Sequence, residues 1–337
     1  MIQFEQDRAF DVIPLGRIAI DFNPLDMNCT LDKSKNFNKY LGGSPANIAV
    51  GLARLGKKVG FIAKVSDDQF GDFVIDYFKK EGIDTTQIYR AEHGEVLGLT
   101  FTEIKSETES SILMYRDGVA DLELDSSEIS EDYIKNAKAL LISGTALAKS
   151  PSREACFKAV ELAKKHNTKV IFDIDYRGYT WKSKDEIAIY YSLIGRQSDI
   201  IIGSKEEFSL MEFIMNPEDC SDKAVAKRWL QYGNQIVVIK HGKEGSEAFL
   251  ENGTSFKIKP FPVKLLKSFG GGDAYASAFL YGLLEGFDMM DALEFGSASA
   301  AMLVASHSCS EDMPSVEEVK KFIEEEKQEY GEMIARY

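Results

Sequence analysis

The chain has 337 residues, of which 44% are hydrophobic and 28% charged, the composition of a globular protein rather than a disordered or fibrous one. Its 40 Lys and Arg against 54 Asp and Glu give a net charge of −14. That balance excludes nucleic acid or an anionic membrane as the main partner, because both demand a positive surface. An anionic small molecule entering such a protein needs local Arg, Lys, helix N-termini or a metal to offset the repulsion. The cysteines Cys29, Cys156, Cys220 and Cys309 form no C-x-x-C pair, so neither a zinc site nor a disulfide framework is expected. The opening MIQFEQDRAFDVI has no basic start followed by an apolar stretch, and no segment approaches the length of a membrane span. The reducing cytoplasm is the expected compartment.

In chain order, an apolar run from Val12 to Ile20 predicts a strand. "FNKYL" then leads to Gly42-Gly43 and "SPANIAVGLARLG", a helix with Ser44 as N-cap and Pro45 at its first position. Strand "KVGFIAKV" and a helix from about Phe70 to Glu81 follow. "LGLTFTEI" and "SSILMYR", separated by the polar "KSETES", predict an antiparallel hairpin. Regular alternation comes next. Strands "KALLIS", "KVIFDID", "DIIIG" and "QIVVIK" are interleaved with helices at 152–166, 185–197, 205–213 and 222–232. Alternation of this kind specifies an α/β fold in three layers: an open, mostly parallel sheet with helices on both faces. The hairpin and the early strands, at roughly 15–41 and 96–116, are expected to form a small β-sheet lid. Without a linker or a repeat, residues 1–337 are expected to form one domain.

Ligands of open α/β sheets bind beyond the carboxyl ends of the strands, and the residues expected there are polar: Asp21, Asp173, Asp175, Arg177, and Ser204 to Glu207. "GLARLGKK" at 51–58 nearly matches a phosphate-binding loop. It sits at the end of a helix rather than between a strand and a helix, so it is rejected on context. "KSFGGGDAYASAF" at 267–279 has the opposite context, glycines first and then a long apolar helix. Unpaired N–H groups and the helix dipole at such a start favour an anion. A carboxylate beside a bound phosphate needs a reason of its own. Asp273 either caps the helix or acts as a general base toward an attacking hydroxyl.

This stretch resembles the second signature of the ribokinase-like (PfkB-type) sugar kinases, and "GGSPANIAVGLARLG" with "DDQFG" resembles the first. The resemblance runs from about residue 10 to 320. It implies transfer of the ATP γ-phosphoryl to a sugar hydroxyl, with ATP and Mg²⁺ as cofactors. Asp273 matches the family's catalytic base, and Gly270, Gly271 and Gly272 its anion hole. Asp21, Gly43 and Asn47 fall where the family holds sugar hydroxyls; Asn47 has the alternative of capping a turn. Glu207 falls where the family's N-x-x-E glutamate acts on Mg²⁺ through water, with Ser204 in place of the Asn. Segments 240–245, containing Lys240, Gly242 and Gly245, and 306–315, containing His307, match positions that flank the nucleotide, or else are turns.

One position departs from the family. Lys267 replaces the Asp that opens the second signature, whose loop binds a monovalent cation in many members. A lysine ammonium supplies positive charge instead, so weak or no K⁺ dependence is expected. Arg116, at the end of the hairpin, and Arg177, past a core strand, offer planar forks matched to carboxylate. In so acidic a chain they point to a sugar acid, and "DYRGYTW" resembles the branch of the family acting on keto-deoxy sugar acids at a terminal 6-hydroxyl. Arg17, placed on one strand face with Ala19 and Asp21 by period-two alternation, either joins them or pairs with Asp21. A 2-keto-3-deoxygluconate kinase, a fructokinase-like sugar kinase and a ligand-sensing relative without turnover stand as alternatives. Pairing of two lids in a homodimer is a further expectation.

Overall fold

The computed structural model describes residues 2–106, 109–267 and 269–336. The strands are β1 Phe10–Leu15, β2 Ala19–Pro24, β3 Phe37–Gly42, β4 Gly60–Val65, β5 Asp84–Arg90, β6 Gly98–Ile104, β7 Ser110–Tyr115, β8 Ala137–Ser143, β9 Lys169–Asp173, β10 Ile200–Ser204, β11 Ile236–Lys240, β12 Ser246–Leu250, β13 Ser255–Ile258 and β14 Ile334–Arg336. The helices are α1 Ser44–Arg54, α2 Gln69–Lys80, α3 Glu131–Lys135, α4 Ser152–Lys165, α5 Lys184–Gly195, α6 Lys205–Met211, α7 Asp222–Leu230, α8 Gly271–Leu284, α9 Met289–Val304 and α10 Val316–Tyr330.

The main sheet has the order β14-β13-β12-β11-β10-β9-β8-β1-β4-β5. It is parallel from β11 to β5, with β12, β13 and β14 added antiparallel at one edge. Buried on both faces, its central strands are apolar throughout, as parallel strands under two helical layers must be. Alternate residues feed two cores. Ala139, Leu141 and Ile171 pack toward α1, α2, α8, α9 and α10. Leu140, Ile142 and Val170 pack toward α3 to α7. The three-layer α/β architecture expected from the sequence is present.

A second sheet, β3-β2-β6-β7, stands apart from the first. The expected single strand at 12–20 is two strands, β1 in the main sheet and β2 in the small one. The chain changes sheets at Gly16, where the backbone passes so close to α1 that a Cβ would lie 2.8 Å from Pro45 Cγ. Asp21 therefore lies within β2, opposite Tyr40 and Thr100, and not at the end of a main-sheet strand. Among the described residues no helix is long and apolar enough to cross a membrane.

Candidate active site

In-register parallel pairing brings the carboxyl ends of four strands side by side. Ser143 of β8 pairs with Asp173 of β9, and Ser204 of β10 with Lys240 of β11. The start of α8 faces this row, and a cavity of about 500 Å³ lies between them. Asp173, Arg177, Ser204, Glu207 and Lys240 line it on the strand side, and Gly270, Gly272 and Asp273 on the helix side.

The three glycines each answer a different constraint. Gly270 is the N-cap of α8 at φ 84, a left-handed conformation that favours glycine, and a Cβ there would lie 2.6 Å from Cys309 Sγ. At Gly271 a Cβ would lie 2.7 Å from Val304 Cγ1. Only Gly272 faces the cavity cation, with the position of a Cβ 3.4 Å from Lys240 Nζ. The Asp273 N–H bonds back to Gly270 O at 3.0 Å, which removes it from the expected set of free donors. The N–H groups of Gly271 and Gly272, first-turn donors of the helix, have no partner among the described residues.

Asp273 does not cap α8; its two oxygens are held from α1. Ser44 Oγ donates to Oδ1 at 2.7 Å and Asn47 Nδ2 to Oδ2 at 2.8 Å. Close packing makes this possible, for a Cβ on Gly51 of α1 would lie 2.4 Å from Ser277 Oγ of α8. The Ser44 hydroxyl is thereby spent away from the helix end, and Gly43, at φ 99, is the N-cap of α1 with no side-chain cap bond. Gly43 also lies against β2, since a Cβ would come 2.7 Å from Arg17 O. Burial and the nearby Asp175 charge push the Asp273 carboxyl up, while Asn47, Ser44 and Arg177 pull it down; the balance is upward. Asn47 thus serves a side chain rather than a turn, and its buried Oδ1 has no hydrogen-bond partner among the described residues.

Asp175 organises the basic side of the cavity. It accepts from Ser143 Oγ at 3.0 Å and Thr145 Oγ1 at 3.3 Å, and lies 2.9 Å from Arg177 Nη2 and 3.7 Å from Arg17 Nε. Burial opposes its charge, but Arg177 and Arg17 hold it below the ordinary carboxylate range. Arg17 thus pairs with Asp175 and not with Asp21, because it sits in the link between sheets and escapes the alternation expected of a strand. Asp21 is pushed up to about 6 by burial, against the pull of Arg17 and a Thr100 hydrogen bond. A Cβ on Gly42 would fall 2.1 Å from Asp21 Oδ1, so glycine there makes room for the carboxylate. Arg116 is buried against Asp121, Nη2 to Oδ2 at 2.6 Å. It is not part of the cavity wall.

Five of the expected nucleotide or metal residues have local duties. Ser204 and Glu207 form a capping box at the start of α6, and Glu207 Oε1 also accepts from Tyr176 N at 2.9 Å. Gly242 and Gly245 flank a single turn after β11, outside the cavity wall; a Cβ on Gly245 would lie 1.9 Å from Ile258 O. His307 is occupied by the small sheet, with Nε2 2.9 Å from Pro24 O and Nδ1 3.1 Å from Tyr40 OH. It does not line the cavity. Lys267 is 3% exposed, and its ammonium donates to Leu303 O at 3.1 Å and Ser308 O at 2.7 Å.

The sequence profile of the pfkB family carbohydrate kinases matches residues 10–316. The chain belongs to this family. A 5-dehydro-2-deoxygluconokinase of Clostridium perfringens is 72% identical over 335 residues, covering 99% of both chains. One from Geobacillus thermodenitrificans is 50% identical over 96% of each. Among solved structures, a sugar kinase of Pyrococcus horikoshii in complex with ATP is 27% identical, covers 94% of this chain and 99% of its own, and superposes with a TM-score of 0.76.

The cavity of this carbohydrate kinase is closed on one side by the small sheet. Ser110, Ile112 and Met114 alternate along β7 to face it, and Tyr179, after β9, reaches across to the Met114 sulfur. Sequence reasoning missed Met114, Tyr179 and the role of Ser44. The first two sit on neighbours of residues that were singled out. Ser44 carried only the signal of a helix cap, which misdirected its assignment.

Proposed function

We propose that this chain transfers the γ-phosphoryl group of ATP to the 6-hydroxyl of 5-dehydro-2-deoxygluconate. The observation that carries the chemistry is Asp273, a carboxylate in the first turn of a glycine-led helix, locked by Ser44 and Asn47 and facing Lys240 across the cavity. The substrate reading is supported by full-length identity of 72% to a kinase bearing that substrate's name.

In this reading Asp273 is the general base for the hydroxyl. The Gly271 and Gly272 N–H groups, with Gly270 shaping the turn, bind the charge that gathers on the transferring phosphoryl. Lys240 and Ser204 hold the phosphates, and the turn at Gly242 and Gly245 flanks the adenine. Asp21 and the Oδ1 of Asn47, unpartnered among the described residues, accept sugar hydroxyls, with Gly43 allowing the substrate against the backbone. Arg177 meets the carboxylate and Arg17 supports it through their shared Asp175, while Arg116, neutralised by Asp121, stays behind the wall.

Mg²⁺ neutralises phosphate charge when bound. Among the described residues no group of three or more His, Cys, Asp and Glu is arranged to hold a metal ion, and both Glu207 oxygens accept backbone N–H groups. These residues fit a metal carried by the phosphates, with Glu207 acting through water. The Lys267 ammonium, donating to two main-chain carbonyls, replaces a monovalent cation, so turnover proceeds without K⁺. Two copies pair through the outer faces of their small sheets, and the enzyme works in the cytoplasm.

The test is ADP release by the purified chain over a panel of sugar acids and neutral sugars. Preference for 5-dehydro-2-deoxygluconate is expected; preference for 2-keto-3-deoxygluconate, or exclusive use of fructose or ribose, overturns the substrate reading.

A further inference from the structure

Ser44 Oγ lies between two carboxylates, 2.7 Å from Asp273 Oδ1 and 3.2 Å from Asp173 Oδ2. A serine hydroxyl carries one proton and cannot donate to both. With both carboxylates ionised, one of the two contacts would set oxygen lone pairs against each other. The arrangement is fully bonded only when one of the carboxylates carries a proton. Asp173 is buried, at 4% exposure, and the charged groups around it come from every side. Lys240 at the end of β11 has Nζ 3.9 Å from Oδ1. Asp175 follows two residues beyond the end of β9, Glu207 lies in the first turn of α6, Asp273 is on α8, and Arg177 is within the cavity wall.

We propose that Ser44 and Asp173 are positioning residues that relay the substrate's proton away from Asp273. The relay rests on the reading of Asp273 as the base. When the sugar O–H bond breaks, its proton bonds to the Asp273 carboxylate. The protonated Asp273 Oδ1 then passes a proton to Ser44 Oγ while the hydroxyl proton of Ser44 passes to Asp173 Oδ2. Asp273 returns to a carboxylate and Asp173 becomes a neutral acid. One proton moves, no electrons are transferred and no co-reactant is needed. Asp173 lines the cavity, so it discharges the proton to solvent when product leaves.

Proton affinity fits the direction of transfer. Burial, aided by the charges of Asp175, Glu207 and Asp273 and opposed by Lys240, pushes Asp173 up to about 7. Such a group is an effective acceptor near neutral pH and is already filled when the pH falls below it. Turnover should therefore decline as the pH drops through about 7, because Asp173 can no longer receive the proton.

The experiment is the pH profile of kcat, at saturating ATP and sugar, for the wild-type chain, Ser44→Ala, Asp173→Asn, the double variant and Asp273→Asn. Both single variants are expected to lose about 10-fold in kcat with the limb near neutral pH abolished in each, and the double variant to be no slower than the slower single. A limb unchanged in Ser44→Ala overturns the relay, as do single-variant losses that multiply in the double. If the hydroxyl and the carboxylate merely tune Asp273, the limb moves up in Ser44→Ala and down in Asp173→Asn, which also overturns it. Full turnover in Asp273→Asn removes the base itself; an inactive Asp273→Asn beside an unmoved limb in the other variants removes the relay alone.

Discussion

Asn47 Nδ2 donates to Asp273 Oδ2 at 2.8 Å, joining residues 226 positions apart in the chain. The bond favours the charged form of the carboxylate. Its removal in Asn47→Ala should raise the Asp273 pKa, so that the acidic limb of kcat/KM moves to higher pH. Loss of a hydrogen bond to a charged group also predicts a fall in kcat/KM of about 10- to 100-fold. An unmoved limb would detach Asn47 from the base.

Asp273→Asn keeps shape and removes basicity. A loss of about 10²- to 10⁴-fold in kcat is expected for a missing general base, with ATP affinity by calorimetry little changed. Turnover near the wild-type level would show that another group takes the proton.

Lys267→Met removes the buried ammonium from the Leu303 and Ser308 carbonyls, which keep only the bonds from Ser306 and the end of α9. A lost stability of about 1–3 kcal/mol in all is expected for the missing charge-assisted bonds, read as a lowered midpoint in denaturant. The wild-type chain should turn over equally in K⁺ and in a bulky organic cation, while the variant should recover part of its activity only in K⁺. Strong K⁺ activation of the wild type would contradict the role given to the ammonium.

Arg177→Ala should raise KM for the sugar acid by about 10-fold or more, the weight of a charge-assisted pair, and leave KM for ATP nearly constant. Arg177→Lys should not restore it, because a point charge lacks the planar fork. Equal changes in both KM values would move Arg177 away from the acid.

The outer face of the small sheet carries Phe22 stacked on Phe101 at 5.0 Å, with Leu113 beside Phe101 and Tyr115 edge-on to it. Leu113 and Tyr115 are 45% and 59% exposed. Leu113→Asp should convert a dimer to a monomer in light scattering; a wild-type chain that is already monomeric rejects the pairing.

What could be read from the sequence followed from short-range rules. Alternating strands and helices between residues 137 and 240 obey period and capping signals, and the glycine-led helix at 271 announces itself by composition. Three kinds of feature escaped. The strand β5, "DTTQIYR", is polar because one sheet edge is half-exposed, so it lacks an apolar run. The antiparallel edge β12 to β14 joins residues near 250 to the tail near 334, a pairing no local pattern encodes. At the site, Ser44 obeyed the cap rule in sequence, yet helix-to-helix packing offered its hydroxyl two carboxylates, a stronger attraction than a helix end. His307 likewise looked available only because the Tyr40 and Pro24 that occupy it lie far away in the chain.

Gly16, Arg17 and Ile18 are all the chain that lies between β1 in the main sheet and β2 in the small one. A tether so short works as a lever. It is one of the links on which the small sheet hangs, and Arg17 is fastened to Asp175 just beyond β9 of the main sheet. The same aspartate grips Arg177, so the tether of the small sheet and the placing of Arg177 share one mechanical joint. With Arg177 in its proposed role, substrate capture and closure become a single event.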